Sequence, residues 1–138
     1  MILLDTNVLS EPPRSKPSRK VVEWLDSQAA ETLYLSAISY AELRFGVLRL
    51  PHGKRKNALG AKVEQALNLF KDRTLAFDIE AAEHLAQILT HTEKTGRKTP
   101  APGAYIAAIA MAHGFAVATR NVDHFRDTGV SVINPWKG

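Results

Sequence analysis

Asp5 stands directly behind Ile2-Leu3-Leu4. A carboxylate at the end of an aliphatic run either caps the helix that follows, through backbone N–H groups, or serves a site at a sheet edge. Glu42 lies within Ile38-Ser39-Tyr40-Ala41-Glu42-Leu43-Arg44-Phe45. At about 100° per residue it falls about 40° from Ile38, on the stripe with Phe45 that is expected to face the core. An unpaired buried charge is costly, so Glu42 must pair with a cation, accept strong hydrogen bonds, change protonation or bind metal. The plainest of these is an ion pair with Arg44 or Arg49. Two acids from separated segments suit a hard cation such as Mg²⁺ or Mn²⁺ better than zinc, because the chain has no Cys and its five His form no i,i+4 pair. Thr119-Arg120-Asn121-Val122-Asp123 adds a hydroxyl, a guanidinium suited to phosphate, an amide and a further acid. An ordinary polar loop accounts for that run equally well.

The elements that would position these groups follow from the apolar pattern. Ile2-Leu3-Leu4, Leu33-Tyr34-Leu35, Leu75-Ala76-Phe77, Ala116-Val117-Ala118 and Ser131-Val132-Ile133 read as short strands of the kind buried on both faces of a parallel sheet. Between them, a Pro-rich basic loop at Pro12, Pro13 and Pro17 leads to Ser18, which can cap a helix carrying Val21, Val22, Trp24 and Leu25. Ser36 or Ser39 starts a helix whose Ile38, Ala41, Phe45 and Leu48 form its inward side, ending near Pro51-His52-Gly53. Lys54 to Lys71 is a longer amphipathic helix. Asp78 caps another that runs to about Thr92 and yields to the polar stretch Glu93 to Thr99. Pro100 and Pro102 mark the start of a helix in which Ala104 to Ala112 is apolar nearly all round, hence buried, with His113-Gly114 at its end. Strands alternating with helices predict a single domain over 1–138, a three-layer α/β/α sandwich around a mostly parallel sheet of about five strands. Ligands in such folds sit at the C-terminal ends of strands, where Asp5 and Thr119-Arg120-Asn121 fall.

Composition narrows the function classes. The 138 residues suit one domain, and zero Cys excludes a disulfide framework and a thiolate nucleophile. The longest apolar run, Ala104 to Ala112, is far short of the ~20 residues that span a bilayer, and the first residues carry no basic flank or cleavage site. A cytoplasmic protein without a membrane segment is the expectation. Eighteen Lys plus Arg against fourteen Asp plus Glu give +4, with the excess clustered at Arg14 to Lys20, Lys54-Arg55-Lys56 and Arg97-Lys98. Such clusters admit a polyanionic partner, although solvated loops produce them as well.

Leu3-Leu4-Asp5-Thr6-Asn7-Val8, Ser39-Tyr40-Ala41-Glu42-Leu43-Arg44-Phe45-Gly46, Ala104-Tyr105-Ile106-Ala107-Ala108, Thr119-Arg120-Asn121-Val122 and Asn134-Pro135-Trp136 occur in that order. Together they resemble the motifs of PIN-domain ribonucleases, more narrowly the VapC/FitB-type toxins of bacterial type II toxin–antitoxin modules. Any one of these motifs is weak; five in order across the whole chain are specific. The resemblance implies an endoribonuclease that uses Mg²⁺ or Mn²⁺ on RNA, with Asp5 as the first acid and Glu42 as the second. Two divalent ions can activate a water and stabilise charge on the phosphodiester oxygens. Thr6 and Asn7 would fix the first acid or a metal-bound water, and Arg120 would meet an RNA phosphate. The third acid of the pattern, three residues before the Ile of the alanine-rich helix, is replaced here by Gly103. The fourth falls on Asn121 or on Asp123, the latter favoured by its charge. The implied partners are a cognate antitoxin, an RNA substrate and a second copy in a homodimer, with DNA met only through the antitoxin.

With Gly103 in that place, the resemblance implies a weakened or inactive toxic nuclease. The competing reading is a catalytically degenerate PIN module that only binds antitoxin or oligomerises, with the helices of Trp24 and Leu25 and of Glu42 supplying the apolar surface. A phosphatase of the haloacid dehalogenase type also begins with Asp after the first strand, but it needs a second Asp where this chain has Asn7.

Overall fold

The computed structural model describes residues 1–97 and 100–137; Lys98 of the Arg97-Lys98 pair and Thr99, which closes the polar stretch, lie outside the described residues. Strands β1 (Ile2–Leu4), β2 (Leu33–Ser36), β3 (Thr74–Leu75), β4 (Ala116–Ala118) and β5 (Val132–Ile133) pair parallel throughout, in the order β3-β2-β1-β4-β5. Leu3 lies opposite Tyr34 and Val117, and Leu4 opposite Leu35 and Ala118. Because side chains alternate across a strand, this register sends two sets of residues to opposite faces. Leu3, Tyr34, Val117 and Val132 pack under α5 (Ile79–Thr95) and α6 (Ala101–His113). Leu4, Leu33 and Ala118 pack under Val8 of α1 (Thr6–Leu9) and Val21 of α2 (Arg19–Ser27). On the same side Leu35 meets Leu43 of α3 (Ala37–Leu48) and Val63 and Leu67 of α4 (Lys54–Leu69). The three-layer sandwich with a five-stranded parallel sheet is the expected fold.

Local differences have local causes. Helix α4 stops at Leu69, short of Lys71, which instead opens a 3-10 turn at Lys71–Arg73. β3 is Thr74–Leu75 and not residues 75 to 77, because Phe77 leaves the ladder to pack edge-on against Tyr105 with centroids 5.0 Å apart. Ser131 stays outside β5, yet its carbonyl still accepts the Val117 N–H at 2.8 Å. α5 continues past Thr92 to Thr95 and closes on Gly96, whose φ of 72° is readily reached only without a side chain. α6 is apolar on all sides and buried from Ile106 to Ala110, as a helix of that composition must be.

Of the inward stripe expected for α3, Ile38 packs on the core while Ala41, Phe45 and Leu48 do not. Phe45 is 63% and Leu48 69% exposed, Ala41 is exposed too, and the buried residues are Ser39 and Leu43. With apolar residues on nearly every side, periodicity gave this helix no face to choose; its contacts with α1, α4 and α6 across the end of the sheet chose one. The face with Ser39 could turn inward because its polar groups are satisfied. Ser36 caps the helix by accepting the Ser39 N–H at 3.0 Å, and the Ser39 hydroxyl meets Thr6.

One buried acid escapes any periodic signal. Glu11 is 4% exposed and closes the Pro-rich loop: one carboxylate oxygen accepts the Ser18 N–H at 2.8 Å and the other accepts from Arg14 at 3.1 Å. Ser18 sits at the start of α2 but makes no side-chain cap bond, so Glu11 fixes this helix start through the backbone. The Ser18 N–H above all, with Arg14 and Arg120, holds the Glu11 carboxyl below its ordinary value. The stabilisation from a lowered carboxyl is fully present above the ordinary range and is lost as pH falls through the folded-state value. Glu11→Gln should lower the melting temperature at neutral pH by about 5 °C. Thermal melts of both chains should converge as the pH is brought below the ordinary Glu range; a gap that widens on acidification would refute this role.

Candidate active site

Parallel strands leave β1 in opposite directions, to β2 on one side and β4 on the other, and crevices for ligands open where such an order reverses. Asp5 closes β1 and Thr119 follows β4 at that point. Asp5 does both things its position allows. Its backbone is extended, with φ −69° and ψ 156°, and Oδ1 accepts the Thr6 N–H at 2.8 Å, capping α1. Oδ2 accepts the Thr119 hydroxyl at 2.7 Å and the Asn7 side-chain amide at 3.2 Å.

The hydrogen bonds around the acids run in one direction. A carboxylate only accepts, so the Thr6 hydroxyl must donate its single proton to Glu42 Oε1, 2.6 Å away, and accept from Ser39 at 2.9 Å. By the same logic Thr119 donates to Asp5 and accepts the Asn121 N–H at 3.0 Å. Asn7 completes the frame, with Nδ2 toward Asp5 and Oδ1 accepting the Arg120 N–H at 3.2 Å. Thr6 therefore joins the two acids, by its N–H to Asp5 and by its hydroxyl to Glu42.

Among the described residues neither Asp5 nor Glu42 makes an ion pair. The pairing of Glu42 with Arg44 or Arg49 is overturned: Arg44 bonds to Glu64, which raises its own pKa and lowers that of Glu64, and Arg49 stacks on Phe45. Arg44 lies about 160° around the helix from Glu42, and Arg49, though close to Glu42 in helical angle, is two turns further on at the C-terminal end of α3.

The donor set tests which ion could fit. A carboxylate offers about four acceptor positions. Three on Asp5 are taken, while Glu42 Oε2 is unclaimed among the described residues. Two partly free oxygen ligands, with no sulfur or imidazole beside them, fit a hard ion such as Mg²⁺, which commonly takes one or two carboxylates and keeps its waters. Among the described residues no group of three or more His, Cys, Asp or Glu converges on one point. Gly103 is buried at the third position of α6, and Asp123 is exposed and ion-paired with Arg126.

Asp5, Thr6, Asn7, Glu42 and the Thr119 to Asn121 segment are thus brought together. Ser39 and Thr119 turn out to orient the acids, and Glu11 anchors the neighbouring loop. Ser39 had a signal, its place three residues before Glu42 on the same helical face; for Glu11 the only signal was Arg14 three residues on. Beside the acids, with Thr6 and Glu42 in its wall, opens a cleft of about 1180 Å³. Its floor is apolar, with Leu9, Leu43 and Phe70, and Arg14, Arg55 and Lys62 also line it.

Comparison with known proteins agrees with this geometry. The PIN domain family model matches residues 2–130. Toxin FitB of Neisseria gonorrhoeae is 50% identical over 137 residues, covering 99% of each chain. VapC ribonuclease Y4jK of Sinorhizobium fredii is 44% identical over 138 residues, again covering 99% of each. The crystal structure of FitAcB from Neisseria gonorrhoeae superposes with a TM-score of 0.94 at 50% identity, covering 99% of each chain. With its switch-point acids, its five-stranded parallel sheet and this similarity over nearly its whole length, the chain belongs to the PIN-domain family, on the VapC/FitB toxin branch.

Proposed function

We propose that this chain is the toxin of a type II toxin–antitoxin pair, a cytoplasmic endoribonuclease that hydrolyses RNA phosphodiester bonds with Mg²⁺ or Mn²⁺, and that Gly103 weakens it. The observation that carries this reading is the union of Asp5 and Glu42 through Thr6, neither in an ion pair among the described residues. Asp5 and Glu42 would hold the ion, which when bound supplies the charge that activates a water and steadies the phosphodiester oxygens. Thr6 and Thr119 keep the acids turned toward that place, and Asn7 ties Asp5 to the loop of Arg120, which faces the phosphate. Asp123 or Asn121 completes the polar rim. No helix among the described residues is long and apolar enough to cross a membrane, which accords with the proposed location.

Its similarity to FitB, and to FitAcB as a solved structure, supports an antitoxin as partner. The cleft suits a chain segment with apolar side chains, since its floor is apolar and one wall reaches Glu42. Leu25 lines that cleft, whereas Trp24 packs against the core around Leu4. DNA would be met through the antitoxin. The outward face of α3, with Tyr40, Phe45 and Leu48, supports a homodimer, because apolar side chains grouped on one exposed face gain by burial against a second copy. A degenerate antitoxin-binding module is the second reading, favoured by the lack of a third converging acid among the described residues. A phosphatase is not supported, because Asn7 uses its amide to orient Asp5 where that chemistry needs a second acid.

Two measurements decide between these. Mn²⁺ at tenfold its dissociation constant should stabilise the chain by about 1.4 kcal/mol, a rise in melting temperature of about 4 °C. Glu42→Gln should abolish that rise; an equal rise in the variant would place the ion elsewhere. Gly103→Asp should raise Mn²⁺-dependent RNA cleavage at least tenfold, the scale on which even outer groups of metal sites act, at about 10–100-fold. Equal cleavage by both chains would refute the weakening, and cleavage by neither would favour the antitoxin-binding module.

A further inference from the structure

Arg120 differs from the ion-paired arginines of the described residues and shares its contact with a ring with Arg44, Arg49 and Arg73. Arg14, Arg44, Arg97 and Arg126 make ion pairs, Arg73 bonds to carbonyls and Arg49 stacks on an exposed ring. Arg120 makes no ion pair among the described residues, and its guanidinium lies 5.3 Å from the centre of the Trp136 ring. Glu11, an acid near enough to feel its charge, already has both oxygens engaged by Ser18 and Arg14.

The backbone beneath Arg120 is tied to the acidic site on both sides. Its own N–H donates to Asn7 Oδ1 at 3.2 Å, and the next N–H, of Asn121, donates to Thr119, which in turn donates to Asp5. Trp136 is equally fixed. It packs on the cluster of Leu4, Ala118 and Ile133, it follows the buried Pro135, and its N–H donates to Asn134 Oδ1 at 3.0 Å. A guanidinium held over a ring without an ion-pair partner keeps N–H donors free for a phosphate.

We propose that Arg120, stacked on Trp136, is a preset receiver for a phosphate of the RNA strand beside the one at the acids, and that Trp136 is its positioning residue. This rests on the nuclease reading, but concerns how the strand is gripped and not how it is cut. An anchored arginine has fewer conformations to lose when the strand arrives, so removing the ring should weaken binding even though the ring itself touches no RNA.

The test is binding of a labelled single-stranded RNA to the chain as it stands, in chelator so that nothing is cut, measured across a salt series. Arg120→Ala should make the dependence of log K on log salt shallower by about 0.7, the contribution of one phosphate contact. Arg120→Lys should keep the slope while losing affinity. Trp136→Leu should weaken binding about two- to fivefold in the natural background and have no further effect in Arg120→Ala. Trp136→Phe, which retains a ring, should recover part of the loss if the leucine variant proves unstable in thermal melts. An unchanged slope in Arg120→Ala would overturn the receiver, and equal losses from Trp136→Leu in both backgrounds would overturn the positioning role. Absence of RNA binding by the unmodified chain would also overturn it, while the nuclease reading is judged separately by cleavage with Gly103→Asp.

Discussion

Two carboxylates share one hydroxyl-bearing residue and make no ion pair among the described residues, and the local architecture is arranged around that imbalance. Every hydrogen bond to Asp5 or Glu42 comes from a neutral donor, a backbone N–H, an amide or a threonine hydroxyl. Neutral donors stabilise a negative charge without cancelling it. An arginine in the same place would have made a stable ion pair and closed the site. The direction of each hydroxyl follows from the rule that carboxylates only accept, so the Ser39 to Thr6 to Glu42 chain and the Asn121 to Thr119 to Asp5 chain both end on the acids.

The sheet explains why these chains meet. β1 lies between β2 and β4, and the helices that return from its two sides diverge, leaving the ends of β1 and β4 uncovered by a crossover. Asp5 and Thr119 occupy those ends, while α3, which carries Ser39 and Glu42, begins at the end of β2. Three neighbouring strand ends thus supply the site from segments far apart in sequence. The strands can be as short as they are because each is buried on both faces, and burying an aliphatic side chain is worth about 1.5–3 kcal/mol.

The sequence was legible where a residue had one physical option. Ile2-Leu3-Leu4 before Asp5, the Asp78 cap and the apolar α6 each admit one structure, and the five-stranded fold follows from them. It was illegible where the chain was apolar in every direction. α3 cannot be oriented from periodicity, which puts Glu42 on a face with Phe45 that is in fact solvent-exposed and offers Arg44 or Arg49 as its partner, although Arg44 turns to Glu64 and Arg49 to the Phe45 ring. Glu42 was still recognised as significant, because any half-buried acid must be accounted for, whichever way its helix turns. Hydroxyl orienters such as Ser39 leave almost no trace in sequence, since Ser and Thr are common at helix starts for capping alone.

The alignment of Asp5 and Glu42 does not depend on position 103, where the proposed third ligand would stand. The bonds that align Asp5 and Glu42 come from the β1–α1 turn, from α3 and from the segment after β4; none comes from α6. As the third ligand of the proposed site, an acid at position 103 would add charge to a site already built, with little part in building it. A buried glycine in a helix costs about 1 kcal/mol of propensity against alanine, whereas an acid there, joined to the other two as proposed, would add repulsion when no cation is present. On the proposed reading Gly103 thus lowers ion affinity at little net cost in stability, and the cleft at Glu42, with its apolar floor, remains for a partner.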